Sequence, residues 1–115
     1  CSRSHGVKSF KIKTNKRTGD NKFQYNKFFA DRDYTKYKAL TLRNGGNGFG
    51  YLFPRWRDGY MQNLAKGMNI DLQAYMPVAY FLNGKFHGMM GLRERMDETY
   101  LYQNYGIEED EIDFW

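Results

Sequence analysis

This 115-residue chain has one cysteine, two histidines and no long apolar run. The lone Cys1 excludes an internal disulfide framework and a cysteine-rich zinc site. His5 and His87 lack partners at ligand spacing, so no metal site is predicted within the chain. No run approaches the roughly 20 residues of a membrane-crossing helix, and the start carries no signal-peptide pattern. A leader or anchor, if the parent protein has one, is expected outside this chain.

Aromatic residues are abundant, at 18% of the chain, which predicts a packed core rather than disorder. The length fits one domain or part of one. The net charge of +5 is uneven, because most lysines lie between Lys8 and Lys38 and an acidic cluster spans Glu108–Asp113. Asp20, Asp31 and Asp33 interrupt the lysines, so we interpret them as solvated surface charges, and a nucleic-acid partner is not expected.

The strongest local pattern is a β-hairpin. Val78–Leu82 and Phe86–Leu92 each alternate in the manner of a strand, and Asn83-Gly84 separates them. Asn-Gly tolerates the positive φ that both central residues of a type I′ turn require. The sequence therefore predicts an antiparallel pair with these two residues as the turn.

Two helices are predicted. Asp97 can cap a helix that ends at Gly106. The segment Arg57–Met68 has apolar side chains at helical spacing, and we expect this stripe to be buried. The members of the stripe are Met61, Leu64, Ala65 and Met68.

The first half of the chain predicts strands and loops. Val7–Lys13 alternates as an amphipathic strand, and Ala39–Arg43 is a short strand. Phe23–Tyr37 has no clean period and suggests a short helix with irregular packing. The polar and glycine-rich segments 14–22 and 44–50 are predicted to be exposed loops. The fold class is therefore α+β, an antiparallel sheet with one or two packed helices on one face.

Three blocks in this order resemble the CotH (spore-coat protein H) kinase-like family. They are residues 8–12 (KSFKI), residues 40–47 followed by 57–62 (LTLRNGGN and RDGYMQ), and residues 75–106. The resemblance implies an atypical protein kinase that uses ATP and Mg²⁺ or Mn²⁺ to phosphorylate serine on proteins. It also suggests a bacterial protein that is extracellular, at the cell surface or in a spore coat.

A kinase domain needs roughly twice this length to build both lobes. The resemblance therefore implies that residues 1–115 are a single partial domain, the nucleotide-side N-lobe, whose partner is a missing C-lobe. The catalytic and metal-binding aspartates of the family lie downstream, so the fragment alone is expected to be inactive and to hold no ATP or metal. Apolar surface left uncovered by the missing lobe predicts self-association.

The candidate nucleotide-binding residues are Lys8, Lys11 and Glu94. Alternation puts the two lysines on opposite faces, so only one can point at a nucleotide, and Lys8 matches the family motif best. Kinases orient such a lysine with a helix glutamate. Arg57–Met68 contains none, which makes Glu94, beside the expected hinge, the alternative carboxylate. The competing interpretation is a surface ion pair of Glu94 with Arg93, Arg95 or Arg43.

Two other functions are consistent with the sequence. The first is a non-catalytic binding or scaffold module of a secreted or cell-surface protein, since the chain is rich in tyrosine and basic residues. Exposure of five aromatic residues on one face would favour it: Tyr25, Tyr34, Tyr37, Tyr51 and Trp56. The second, weaker one is single-stranded nucleic acid binding through lysines interleaved with phenylalanines.

Overall fold

The computed structural model describes residues 8–17, 19–45 and 56–113, which form an α+β arrangement of antiparallel strands and two α-helices. The elements are β1 (Phe10–Lys13), β2 (Phe23–Gln24), β3 (Lys36–Tyr37), β4 (Ala39–Arg43), α1 (Arg57–Leu64), β5 (Tyr75–Leu82), β6 (Lys85–Glu94), α2 (Glu98–Tyr105) and a short 3₁₀ helix, Glu109–Glu111. Four strands form one sheet in the order β1-β4-β6-β5, so β1 and β5 are its edges, and β2 pairs with β3 apart from it. The predicted fold class is confirmed.

The two predicted loops differ in how much of each is described. Residues 15–17 and 19–22 are exposed and contain no strand or helix. Residues 46–50 of the second loop lie outside the described part of the chain, as does Val7 of the first predicted strand.

The sheet has two faces with different chemistry, because successive side chains of a strand point to opposite sides. The core face, defined by Leu40, Leu42, Leu92 and Glu94, packs on Phe29, Tyr37 and Ala74. The neighbouring row of the register defines the arginine face, which carries Lys11, Thr41, Arg93 and Tyr75.

The segment 23–37 supplies most of the cover of the core face. Its ends pair as β2 and β3, and between them Phe29 is 4% exposed and Tyr37 5% exposed. The rings of these two residues meet edge to face, 5.4 Å apart. The predicted short helix is therefore wrong here, since edge-to-face aromatic packing and a two-residue ribbon hold the segment.

The predicted hairpin is confirmed, with the predicted turn residues and turn type, and its register shifts by one residue between Tyr80 and Phe81. Leu82 pairs with Lys85, which leaves Asn83 and Gly84 as the two turn residues, with φ of 49° and 78°. Positive φ at both positions is the signature of a type I′ turn.

Gly84→Val should destabilise the fold by about 1–3 kcal/mol, because a β-branched residue is strained at positive φ. A Cβ at Gly84 meets no atom within 4 Å, so the cost comes from the backbone alone. Thermal unfolding measures it against Lys85→Ala, an exposed neighbour expected to stay within about 0.5 kcal/mol of wild type. Equal unfolding temperatures for the two variants would show that the turn conformation is wrong.

The predicted ends of α2 are confirmed. The Asp97 carboxylate accepts a hydrogen bond from the Tyr100 N–H at 3.2 Å. Gly106 ends the helix in the left-handed region, at φ 69°. This cap fixes the direction in which the chain leaves β6.

The two helices contact opposite faces of the sheet, so the expectation of helices on one face is wrong. Tyr100 of α2 lies beside Arg32, which bonds to Glu94 on the core face. Asp58 of α1 pairs instead with Arg93 on the arginine face. Arg93 thus contacts α1 directly, whereas the adjacent Glu94 is linked to α2 through Arg32 and Tyr34.

The apolar stripe of α1 is not buried, contrary to prediction. Met61, Leu64 and Met68 are 58%, 59% and 65% exposed. The helix instead turns Gly59 to the sheet, where a Cβ would lie 2.7 Å from the Tyr75 ring. The helix contacts the sheet through Gly59 because only a residue without a side chain can lie this close to the Tyr75 ring. Met61 and Met68 are therefore left exposed to solvent.

Candidate functional site

Glu94 is the most buried carboxylate of the described residues and the centre of a polar cluster. It ends β6 and is 2% exposed. Its Oε1 accepts hydrogen bonds from the Ala74 N–H at 2.7 Å and from Arg32 Nε at 2.8 Å. Its Oε2 accepts one from the Tyr34 hydroxyl at 2.5 Å. Buried charges are tolerated only when paired and hydrogen-bonded, and this carboxylate meets both conditions.

Arg32 is the partner of Glu94, and sequence analysis missed it. It forms an ion pair with Oε1 and also donates to the Leu72 carbonyl oxygen at 2.6 Å. Its guanidinium lies over the Tyr100 ring, 5.8 Å from the centroid. Burial lowers the pKa of Arg32, but hydrogen bonding and attraction to Glu94 outweigh it, so the pKa is raised. The competing interpretation, in which Glu94 forms a surface ion pair with Arg93, Arg95 or Arg43, is therefore wrong.

Three tyrosine and amide groups extend the cluster toward α2. Asn104 donates to the Tyr34 hydroxyl at 3.1 Å, and the Tyr37 hydroxyl donates to the Tyr34 carbonyl oxygen at 3.1 Å. Burial raises the pKa of Tyr34, and its bond to Glu94 raises it further. Burial also raises the pKa of Tyr37 to about 12, with a contribution from the charge of Glu94. Both phenols are therefore held in the neutral, hydrogen-bond-donating form.

The raised tyrosine pKa values predict that the fold weakens in alkali. An unfolded tyrosine has a pKa of about 10. Because the folded pKa of Tyr37 is about 12, its stabilising contribution is complete below about pH 10 and is lost as the pH rises through 12. Urea unfolding at several pH values between these limits should show the free energy of unfolding falling with pH.

The matched variants are Tyr37→Phe and Tyr25→Phe. Tyr25 is 49% exposed, so its replacement should leave the slope of stability against pH unchanged. Tyr37→Phe should make that slope shallower, since a phenylalanine cannot ionise. Parallel slopes for Tyr37→Phe and wild type would contradict the role given to this phenol.

The arginine face carries a second ion-pair cluster, built around Asp58. Its Oδ2 lies 3.1 Å from Arg43 Nη1 and 3.1 Å from Arg93 Nη2. The Arg93 side chain is 3% exposed, donates to Gln73 Oε1 at 3.0 Å and lies over the Tyr75 ring. Burial lowers the pKa of Arg93, and Asp58 acts against that. Asp58 therefore anchors α1 to β4 and β6.

The three predicted nucleotide-binding residues do not form one cluster. Lys11 shares a row with Arg93, whereas Glu94 shares the next row with Ile12, so the sheet separates Lys11 from Glu94. Lys8 is exposed and precedes β1. Lys11 is also exposed, and its pKa is lowered by desolvation and then by the nearby charges of Arg95 and Lys13. Lys11 is therefore the candidate that faces the side on which α1 packs.

The aromatic surface that would favour the binding-module hypothesis is only partly present in the described residues. Tyr25 and Trp56 are exposed, while Tyr34 is half-buried and Tyr37 is buried. Tyr51 lies outside the described residues.

The fold and its two charged clusters define a small α+β domain in which one sheet carries a buried carboxylate on one face and arginines on the other. A family model described as CotH kinase protein matches residues 1–113, nearly the whole chain. The chain therefore belongs to the CotH kinase family. Comparison with curated proteins and with solved structures gave no match.

Proposed function

We propose that this chain is the nucleotide-binding, N-lobe part of a CotH-like atypical protein kinase that transfers phosphate from ATP to protein serine. Membership of the CotH kinase family over residues 1–113 is the observation that carries the proposal. The parent protein would supply the second lobe, and this part alone would not catalyse the reaction.

The charge of the arginine face supports phosphate binding. Desolvation lowers the pKa of Lys11, and the nearby cations Arg95 and Lys13 lower it further, while Asp97 acts against them. Phosphoryl transfer needs cations around the phosphate oxygens, because negative charge spreads over them in the transition state. In this proposal Lys11 contacts the phosphates, and Lys8, at the open end of the same edge strand, guides the nucleotide toward them.

Glu94 has a different part in the proposal. Its bonds to Arg32, Tyr34 and Ala74 tie three chain segments to the end of β6. Beyond this point the chain enters α2 and the proposed hinge between the lobes. Glu94 would therefore fix the hinge rather than touch the nucleotide, since the sheet stands between it and Lys11.

The proposed reaction also needs a divalent metal. Residues 8–17, 19–45 and 56–113 contain no group of three or more His, Cys, Asp or Glu side chains that could hold a metal ion. The donors for Mg²⁺ or Mn²⁺ are proposed to lie in the second lobe, where the family's aspartates are expected.

Surface properties bear on where the protein works and what it contacts. In the described residues, no helix is long and apolar enough to cross a membrane. The family name suggests a spore-coat association, and we propose an extracellular or cell-surface site of action.

The exposed α1 side chains Met61 and Leu64 offer apolar area for the second lobe or, without it, for self-association.

The test is ATP binding by the full-length parent in the presence of Mg²⁺ or Mn²⁺. Lys11→Ala should weaken binding by about tenfold, which corresponds to roughly 1.4 kcal/mol for one charged contact. Lys8→Ala should have a smaller effect. Lys85→Ala, an exposed lysine at the hairpin turn, is the control and should leave the affinity unchanged.

Equal affinities for Lys11→Ala and Lys85→Ala would remove Lys11 from the site. A parent that binds no ATP at all would exclude the nucleotide-binding function and leave the scaffold alternative.

A further inference from the structure

A cleft that the proposed kinase function does not use opens beside α1. Its volume is about 730 Å³, and it lies between α1, the segment 30–32 and the start of β5. Pockets of roughly 300–1,000 Å³ are typical of small-molecule sites. Because β5 and β1 are opposite edges of the sheet, about three strand spacings, or roughly 14 Å, separate this cleft from Lys11.

Aromatic side chains form an open corner of the cleft. Trp56 and Tyr60 lie with their ring centroids 5.4 Å apart and their planes at 81°. They are 52% and 50% exposed, so both rings keep free area. Tyr75 lines the cleft as well. Such rings offer large, rigid apolar surfaces at a small cost in conformational entropy.

The charged side chains of the described lining are each balanced by an opposite charge. Lys66 Nζ lies 3.0 Å from Asp31 Oδ2, and Arg32 is paired with Glu94. A phosphate or a metal ion would meet no uncompensated charge here. Neutral ligands are therefore favoured over ions.

Amide groups supply hydrogen-bonding capacity. Gln62 Oε1 accepts from the Gln73 N–H at 3.1 Å, and Gln73 Oε1 accepts from Arg93. In the described part of the chain, the side-chain NH₂ groups of Gln62 and Gln73 have no hydrogen-bond partner. The exposed Asn63 side chain has none there either. These donors, with the paired Asp31 and Lys66, match a ligand that presents several hydroxyl groups.

We propose that this cleft binds a saccharide, a neutral polyhydroxylated ligand. The apolar face of a sugar ring stacks on Trp56, and its hydroxyl groups bond to Asn63 and to the Asp31–Lys66 pair. The exposed aromatic rings, and charged lining residues that are each already paired with an opposite charge, fit such a ligand better than a nucleotide. This site stands apart from the proposed ATP site and does not depend on it.

Isothermal titration calorimetry on the full 115-residue chain tests the proposal. The probes are cellobiose and N,N′-diacetylchitobiose, with inorganic phosphate and AMP as charged comparisons. At least one disaccharide should bind, and phosphate and AMP should not. Trp56→Ala should weaken that binding by about tenfold or more, and Asn63→Ala by about threefold. Tyr102→Ala, an equally exposed aromatic residue on α2, should change the affinity less than about twofold.

Circular dichroism establishes whether each variant is folded. If Trp56→Ala does not fold, the Asn63→Ala variant tests the proposal in its place. Failure of both disaccharides to bind at about 20 mM would overturn the proposal. Binding of AMP or phosphate in this cleft, lost in Trp56→Ala, would overturn it too. Sugar binding that Trp56→Ala and Asn63→Ala leave unchanged would place the ligand elsewhere.

Discussion

Replacing Glu94 with glutamine should destabilise the fold by about 3 kcal/mol or more. The substitution keeps the shape of the side chain but removes one charge of a buried pair, which leaves Arg32 without its partner. It also weakens the acceptor for the Tyr34 hydroxyl and the Ala74 N–H. Urea unfolding monitored by circular dichroism measures the loss.

Asp33→Asn is the matched control, because Asp33 is exposed and adjacent in sequence to Arg32. It should change the free energy of unfolding by no more than about 0.5 kcal/mol. The double variant Arg32→Met/Glu94→Met should be more stable than either single variant, since neither charge is then left unpaired. A Glu94→Gln protein as stable as Asp33→Asn would show that this cluster does not hold the fold.

Replacing Gly91 with valine should destabilise the fold by about 2–3 kcal/mol. A Cβ at Gly91 would lie 2.7 Å from the Tyr75 ring, and a Cβ at Gly59 would lie 2.7 Å from the same ring. The ring is thus enclosed between β6 and α1 and cannot move away from one without meeting the other. Overpacking of this kind typically costs about 1–3 kcal/mol.

Ala79→Val is the control for Gly91→Val, because Ala79 is an exposed position in the same hairpin. It should be nearly neutral, since valine suits a strand. Adding Tyr75→Ala to Gly91→Val should recover part of the loss by removing the ring that valine meets. If Gly91→Val alone were as stable as Ala79→Val, the close packing of Tyr75 would be excluded.

The elements that could be predicted from the sequence are those determined by local chemistry. The turn at Asn83-Gly84 and the cap at Asp97 follow from residues that are adjacent or three apart. Alternation in β5 and β6 likewise indicates an antiparallel pair, and the two-residue turn sets the pairing of the residues next to it. The register shift between Tyr80 and Phe81 was not predicted, because alternation alone does not reveal a bulge.

Glu94 was predicted as a site residue, but its partner Arg32 was not, because the two residues are distant in sequence. Arg32 and Glu94 are 62 residues apart, and nothing in the pattern around Arg32 distinguishes it from other basic residues. The side that α1 turns to the sheet was mispredicted for a related reason. Periodicity identified the stripe of Met61 and Leu64, but the contact with Tyr75 needed the small residue Gly59. A glycine carries no hydrophobic signal, so a pattern of apolar residues does not reveal it.

Transfer of labelled γ-phosphate from ATP by the full-length parent protein tests the proposed kinase function most directly. With Mn²⁺ or Mg²⁺ present, the parent should place the label on serine, in itself or in an added protein such as casein. Removal of the metal with EDTA should abolish the transfer, and Lys11→Ala should reduce it by about tenfold or more. If the parent bound ATP and metal but transferred no label to serine, the proposed protein-kinase activity would be contradicted.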